Sequence, residues 1–423
     1  MKTINRSVLA LLCVIGFSCE TEKSLDPIGT FYKYYGMQGD QRAADLAVAF
    51  DGSIFLLGNK VTTDAGGIES FTPYLVKTDP GGNSIWEQSF TGFGSGEAKD
   101  IEISNGGQLM IVGNTDLSGE RDFFILVVNQ ADGSEVRRVV DGYPGFEEKV
   151  ETITEISDGY IISGATTNVL AGASSGDRRD GFFFRYRADL TPYGIIWSNR
   201  YGPGTDDVAV KTIEAKPGVF YMFGYSNQVD ILDQTNDFNF WVFQTNAVGQ
   251  PGSLKFSPGK ARTNEILTSV NRIQGTSNFL LTGVTEDGGV SELYAVKVRG
   301  DIETIQNVDD LIQQEKTLTN FGFTSDPATR ALGISSNPDF IVVSSQNLDG
   351  NQDVYFSRLD SRLIPIPGSD GRIFGGAGND SASAVVQLAD GDLLVLGTIV
   401  LGEVNGQTKL ALLKLNPAGK FNN

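Results

Sequence analysis

Short runs of alternating apolar and polar residues dominate this chain, and turn-forming residues separate them. Between residues 43 and 90 there are four such runs: ADLAVAF, SIFLLGN, TPYLVKTD and SIWEQSF. Asp51-Gly52 joins the first two runs and Gly81-Gly82-Asn83 the last two, which is typical of tight hairpin turns. The segment is therefore predicted to form one four-stranded antiparallel sheet. One such sheet cannot bury both of its faces, and the same pattern returns to the end of the chain.

The second run of every unit contains a glycine near its end, except in the sixth unit, where Ser344 or Ser345 takes its place. The glycines are Gly58, Gly113, Gly164, Gly224, Gly283 and Gly397. Their average spacing of roughly 56 residues is near the ~40 to 50 residues of propeller blades that carry longer loops. The sequence thus predicts an all-β protein, a seven-bladed β-propeller of four-stranded antiparallel blades.

The two ends of the chain complement each other. The seventh unit stops after three runs, whereas the chain has a run of fourth-strand character at residues 30–36, TFYKYYG, with no first three runs before it. We predict that this N-terminal strand completes the last blade and closes the ring. Closure removes the exposed edge that an open array of sheets would present.

One segment, residues 301–320, departs from the β pattern. Ile302, Ile305, Val308 and Ile312 are spaced approximately as on one face of a helix. A short helix laid over the fifth blade and an irregular outer strand after a long turn both remain open.

The N-terminus has the layout of a secretory signal. Residues 1–18 combine a basic start, an apolar run too short to span a membrane, and a small residue before Cys19. Residues 15–19, IGFSC, resemble the lipobox of bacterial lipoproteins, which implies a lipid-modified, palmitate-carrying Cys19. We predict a signal peptide at 1–18, a lipidated cysteine and tether at 19–29, and one propeller domain at 30–423. The alternative is an ordinary cleaved signal with an incidental cysteine.

Turn motifs extend this resemblance to the rest of the chain. Residues 79–86 and 189–197 resemble the D-x-x-G-x-x-x-W strand junction of bacterial propeller repeats, and residues 376–382 a G-x-x-x-D-x-A turn. From about Thr30 the chain resembles β-propeller repeat lipoproteins of Bacteroidota. The resemblance implies a fold and an outer-membrane location, on a side that stays open, and it implies no particular activity.

Composition excludes several classes of function. The chain has 33 Lys and Arg against 52 Asp and Glu, for a net charge of −19. This charge repels phosphate backbones, so nucleic acid is not expected as a partner. The chain has no histidine, which excludes Ser-His-Asp triads, histidine-ligated zinc and imidazole acid–base chemistry.

Carboxylates gather in the turns that lead into the first strand of each unit. They are Asp40, Asp45, Glu97, Asp100, Glu147, Glu148, Asp206, Asp207 and Asp380. A carboxylate that recurs in every blade is best interpreted as accepting backbone N–H groups in a repeated turn. One alternative is that these carboxylates bind a cation or a basic partner. The other is that two of them act as the paired acid and base of glycoside cleavage. The candidate partner-binding rim consists of Glu97, Asp206, Asp207 and Asp380.

Residues 347–353 place side-chain oxygens at every second position, which resembles the start of a calcium loop. The weak candidate ligands are Asn347, Asp349, Asn351 and Asp353. The later positions of such a loop do not match, so a polar hairpin loop is favoured and no metal or other cofactor is predicted.

The first functional hypothesis is a non-catalytic, lipid-anchored scaffold. It would be an accessory subunit of an outer-membrane or other envelope protein complex, such as a transporter, a secretion machine or a barrel-assembly machine. The alternative is a surface glycan-binding or glycan-cleaving propeller. Long polar loops between the second and third runs, at 62–70, 168–180 and 228–237, are expected on one face of the ring, where binding surfaces are often built.

Overall fold

The protein, described here from a computed structural model, is built from seven four-stranded antiparallel sheets in a closed ring. The structure describes residues 29–169, 178–193, 198–202, 206–227, 237–256, 259, 263–287, 290–323, 332–336, 339–348, 351–368, 371–376, 378–402 and 406–422. The seven-bladed propeller predicted from the repeats is confirmed. The predicted signal peptide and nearly all of the tether lie outside the described residues.

Each blade has an inner strand beside the ring axis and three further strands outward. In that order the strands are β2 (Asp40–Val48), β3 (Ile54–Thr63), β4 (Glu69–Thr78), β5 (Ser84–Ser89) in blade 1; β6 (Glu97–Ile103), β7 (Leu109–Thr115), β8 (Asp122–Val128), β9 (Glu135–Asp141) in blade 2; β10 (Glu148–Ile156), β11 (Gly159–Thr166), β12 (Asp180–Arg187), β13 (Ser198–Tyr201) in blade 3; β14 (Asp207–Lys216), β15 (Val219–Ser226), β16 (Asn239–Thr245), β17 (Pro251–Phe256) in blade 4; β18 (Asn264–Arg272), β19 (Phe279–Asp287), β20 (Val290–Val298), β21 (Ile312–Phe323) in blade 5; β22 (Leu332–Ser336), β23 (Asp339–Leu348), β24 (Asn351–Leu359), β25 (Arg372–Phe374) in blade 6; and β26 (Ser381–Gln387), β27 (Leu393–Val400), β28 (Thr408–Leu415), β1 (Phe31–Tyr35) in blade 7.

The two ends of the chain meet in blade 7, as predicted. Strand β1 pairs antiparallel with β28, in a register that sets Phe31 opposite Lys414 and Tyr35 opposite Leu410. The ammonium group of Lys409 adds a second link, because it donates to the carbonyl oxygen of Gly39 at 2.6 Å and to Gln41 Oε1 at 2.9 Å. Sheet pairing and a buried cation therefore fasten the last blade to the first.

The recurring glycine has a steric cause. In six blades it pairs with the inner-strand residue that comes directly before a β-bulge, as Gly224 pairs with Ala209. The pairs are Gly58 with Ala43, Gly113 with Ala98, Gly164 with Val150, Gly224 with Ala209, Gly283 with Leu267 and Gly397 with Ala382. At each glycine a Cβ atom would lie less than 3.0 Å from an inner-strand carbonyl oxygen. The close approach of two backbones therefore requires glycine.

On its other side the glycine makes room for a large ring. The third-strand residue opposite it is aromatic in blades 1 to 5 and is Ala411 in blade 7. Ser344 takes the glycine's place in blade 6, opposite Tyr355, which resolves the choice between Ser344 and Ser345. These rings are buried in the layers between blades.

The segment that could be read as helix or strand contains both. A 3₁₀ turn at Ile302–Thr304 and the single-turn helix α1 (Val308–Leu311) precede β21, which completes blade 5. Within the described ranges, the chain contains no helical segment with the length and apolar character of a membrane span.

Candidate functional site

The inner strands of all seven blades surround a channel along the ring axis. It consists of two adjoining cavities of about 310 and 320 Å³, which share wall residues such as Thr152, Val210, Thr268 and Ser383. We call the half beside the starts of the inner strands the upper half, and the other half the lower half. Cavities of ~300 Å³ or more are large enough for small-molecule sites.

The β-bulge places acidic side chains in the lower half. Asp45 of β2 and Asp100 of β6 both come directly after the bulge of their strand, so they occupy equivalent positions on neighbouring blades. Both line the channel, and the carboxyl group of Asp45 hydrogen-bonds to that of Asp100. Glu102, two residues further along β6, lines the same cavity. The intervening Ile101 is buried in the core, as the alternation of a strand requires.

Backbone donors of the next blade fix these carboxylates. The amide of Ile101 donates to Asp45 Oδ2 at 3.2 Å, and the amide of Ile153 donates to Asp100 Oδ2 at 2.8 Å. The amide of Glu155 donates to Glu102 Oε1 at 3.2 Å. Each acid therefore ties its own blade to the following one, and its orientation is set by two backbones.

Burial and mutual repulsion hold protons on this cluster. Burial raises the pKa of Asp45 well above its usual range, and the charge of Asp100 raises it further. Burial, with the charge of Asp100, also raises the pKa of Glu102 to about 7, while Lys211 acts in the opposite direction. Carboxyl groups with such raised pKa values in a cavity are candidates for acid–base chemistry.

The upper half carries pairs of opposite charge on blades 2 and 3. Lys99 Nζ lies 2.6 Å from Glu97 Oε1, and Lys149 Nζ lies 3.0 Å from Glu151 Oε1. The facing wall is neutral and includes Tyr225 together with hydroxyl-bearing residues. The upper half can therefore offer both charged and neutral hydrogen-bonding groups to a polar ligand.

Three of the predicted lead-in carboxylates accept hydrogen bonds from groups in or beside turns. Asp40 Oδ1 accepts the amide of Thr408 at 2.9 Å, and Asp380 accepts the amides of Gly376 at 2.6 Å and Val400 at 2.7 Å. Glu148, whose pKa burial raises to about 7, accepts the hydroxyl of Thr166 at 2.6 Å. These contacts agree with the turn-stabilising interpretation.

The four residues of the candidate rim do not form one exposed surface. Asp207 and Asp380 are completely buried, and Asp206 is 8% exposed and forms a two-point ion pair with Arg179 at 2.6 and 2.8 Å. Only Glu97 lines the channel. A role in binding a partner stays a prediction, and the burial of three members is inconsistent with direct contact by them.

Of the weak calcium candidates, only Asn351 and Asp353 have described side chains, and Asn351 Nδ2 donates to Asp353 Oδ1 at 3.4 Å. Asp349 and the side chain of Asn347 lie outside the described part of the structure. Asn351 Nδ2 donates to the carbonyl oxygen of Gly376 at 2.8 Å, and burial raises the pKa of Asp353. Within the described ranges, no group of three or more His, Cys, Asp or Glu side chains could hold a metal ion.

Sequence reasoning named Asp45 and Asp100 but missed Glu102 and Lys211. A signal was present, because DIEI at 100–103 alternates acidic and apolar residues, which places Asp100 and Glu102 on the same face of the strand. Nothing in the chain before folding indicates that these acids from two blades meet.

No protein-family model and no curated protein matches the chain. Solved structures do match. The β-propeller domain of Nup133 from Vanderwaltozyma polyspora is 12% identical over 90% of this chain and 97% of that domain, with a TM-score of 0.45. The Penicillium chrysogenum α-L-arabinanase, complexed with arabinobiose, is 12% identical over 74% and 92%, with a TM-score of 0.44. An α-L-arabinofuranosidase from Fusarium graminearum is 9% identical over 92% and 97%, with a TM-score of 0.44.

These matches correct one prediction. The chain was expected not to be an enzyme, and that expectation is contradicted because the similar propellers include an arabinanase and an arabinofuranosidase. Neither the propeller fold nor the missing histidine excludes catalysis, since carboxylates alone suffice for glycoside cleavage. At 9% to 12% identity the likeness itself shows the fold and no substrate.

Proposed function

We propose that the protein is a glycan-binding and glycan-cleaving propeller whose site is the lower half of the axial channel. The observation that carries the proposal is the cluster of Asp45, Asp100 and Glu102, in which burial raises the pKa of two members. Hydroxyl and amide groups of Thr268, Ser269 and Asn271 line the same cavity and suit a ligand rich in hydroxyl groups.

The spacing of the carboxylates favours one stereochemical course. Asp45 and Asp100 are in hydrogen-bond contact, which is closer than the ~5 Å or more between the two carboxyl groups of a glycosidase. Side chains two residues apart on a strand are separated by roughly 6.5 to 7 Å. Asp100 and Glu102 therefore come near the ~6.5 to 9.5 Å of inverting enzymes.

The roles follow from the protonation of each group. Glu102, with a pKa of about 7, would protonate the glycosidic oxygen as the bond to the anomeric carbon breaks. Asp100 would take a proton from the water that attacks this carbon from the opposite side of the ring. Asp45, which keeps its proton, donates to Asp100 and holds it in place.

The test is hydrolysis of a panel of polysaccharides by the wild-type protein and by Glu102→Gln and Asp100→Asn. Each substitution is expected to lower the rate about 10²- to 10⁴-fold, because it removes the proton donor or acceptor. Bound glycan should still be detected by calorimetry. NMR should show a product of inverted anomeric configuration.

The control is Asp309→Asn, an exposed carboxylate in α1 at the outer side of blade 5, which should keep the wild-type rate. Wild-type protein that binds no glycan across a broad panel would refute the proposal. Unchanged hydrolysis in both channel variants would refute the assigned roles.

We also propose that Cys19 anchors the protein to the outer membrane through attached lipid. Support comes from the signal-like residues 1–18 and from the small residue before Cys19. Docking onto another envelope protein and the side of the membrane stay predictions.

Cys19→Ala is expected to abolish incorporation of labelled palmitate and to release the protein from the membrane fraction. The measurement is metabolic labelling followed by fractionation of the cells. Cys13→Ala is the matched control, because that cysteine lies within the predicted signal and should leave both readouts unchanged. Equal labelling of wild type and Cys19→Ala would contradict lipidation at this residue.

A further inference from the structure

Three large apolar side chains are exposed on one face of blades 1 to 3. Ile68 is 67% exposed, Leu117 56% and Phe146 38%. Ile68 and Leu117 lie in the connections from second to third strand of blades 1 and 2, and Phe146 lies in the turn from β9 to β10. Because strands alternate in direction within a blade, both kinds of connection lie on the face where the inner strands begin. The three side chains therefore lie on the same face of the ring as the upper end of the channel.

Hydrogen bonds join the blade 2 connection to the turn on each side of it. The amide of Ser95 donates to Asp116 Oδ1 at 2.6 Å, and this links the turn after blade 1 to the blade 2 connection. The amide of Gly145 donates to Glu120 Oε2 at 3.0 Å, and the amide of Glu148 donates to the carbonyl oxygen of Arg121 at 2.7 Å. Leu117 and Phe146 are therefore presented in a fixed arrangement, which lowers the entropy cost of binding.

The rim of this surface is acidic. Exposed carboxylates stand beside each apolar side chain, at Asp64, Asp116, Glu120 and Glu147. The exposed cations nearby are fewer, namely Arg121 in the blade 2 connection and Arg42, which is paired with Glu69 at 2.5 Å. Exposed apolar groups within a polar rim are typical of protein interaction sites. A positively charged partner would therefore be electrostatically complementary to this rim.

We propose that this upper-face patch, made of Ile68, Leu117 and Phe146 with their acidic rim, docks a polypeptide segment that carries apolar side chains flanked by Lys or Arg. Two of the three apolar groups are aliphatic, so they form a hydrophobic contact and not an aromatic platform for sugar rings. The acidic rim repels anionic lipid headgroups and nucleic acid. This docking is separate from glycan cleavage in the lower half of the channel.

The test uses a synthetic amphipathic peptide of Leu and Lys as the probe and its Leu–Glu analogue as the comparison. Fluorescence anisotropy should show saturable binding of the Leu–Lys peptide and none of the Leu–Glu peptide. The combined variant Ile68→Ser, Leu117→Ser, Phe146→Ser should weaken binding at least about tenfold, since removing central apolar anchors has the largest effect on an interface. All three side chains are exposed, and an unchanged thermal transition should confirm folding.

The matched control is Val136→Ser, because Val136 is 64% exposed on the outer strand β9 of the same blade 2. It should bind the probe as the wild type does. Binding that is equal in the triple variant and the wild type would reveal attraction by net charge alone and would overturn the proposal. Equal binding of the two peptides, or binding of neither, would also overturn it, whatever the outcome of the glycan assays.

Discussion

Replacing Gly224 by alanine is expected to lower the free energy of unfolding by roughly 3 kcal/mol or more. The added Cβ atom would lie less than 3.0 Å from the carbonyl oxygen of Val208 and close to the Cα atom of Ala209. Both atoms belong to the inner strand β14, which the ring holds on both sides. Neither can move away as the end of a flexible side chain could, so the strain falls on the bulge and on the packing of blade 4.

The measurement is urea denaturation of wild type and variant at the same pH. The control is Gly106→Ala, where the nearest atom to the new Cβ is Ser104 Oγ at 3.7 Å, an ordinary contact. That exposed turn position should change stability by no more than about 0.5 to 1 kcal/mol, because the alanine has space and its restriction of the unfolded chain acts in the stabilising direction. A loss at Gly224 no larger than at Gly106 would contradict the steric account of the recurring glycine.

A second large effect is expected in the pH dependence of stability. The pKa of Glu102 is about 7 in the folded protein against an ordinary value of 4.5. Between these values the folded state binds a proton that the unfolded chain has lost, so the free energy of unfolding falls as the pH rises through this window. The raised pKa corresponds to roughly 3 kcal/mol, present below pH ~4.5 and lost above pH ~7.

Glu102→Gln should remove this contribution and flatten the fall in stability between pH 4.5 and 7. Denaturant midpoints measured at several pH values give the two curves. Asp45 and Glu148, whose pKa values are also raised, contribute in the same direction in both proteins, so the difference isolates Glu102. Asp309→Asn should follow the wild-type curve. Parallel curves for wild type and Glu102→Gln would show that this carboxyl does not titrate as described.

The fold could be predicted from the sequence because one structural unit is repeated along the chain. With seven copies of one hairpin pattern, an irregular copy does not hide the repeat. The last unit lacks a fourth run and the run at residues 30–36 has no unit of its own, and these two features together predicted ring closure. The segment at 301–320 was ambiguous because its apolar residues serve a 3₁₀ turn, one helical turn and the start of β21. Only pairing with β20 gives the later part of this segment its extended form.

The functional site was less predictable. Acidic residues near the starts of the inner strands look equivalent in the sequence, yet Asp40 and Asp380 accept backbone amides while Asp45 and Asp100 meet in the channel. Position relative to the β-bulge makes this difference: Asp40 and Asp380 come before the bulge, and the extra residue reverses the face to which the later side chains, including Asp45 and Asp100, point. Glu102 joins the cluster through the same shift.

By itself the sequence determined the all-β class, the number of blades, the partner of the N-terminal strand and the places where glycine recurs. These follow from period-two patterning and turn chemistry, which act over a few neighbouring residues. The tertiary structure alone decided why glycine is needed opposite each bulge, which carboxylates are buried, and that acids from blades 1 and 2 share one cavity. Those properties depend on backbones and charges that are distant along the chain and come within a few ångströms only when the ring closes.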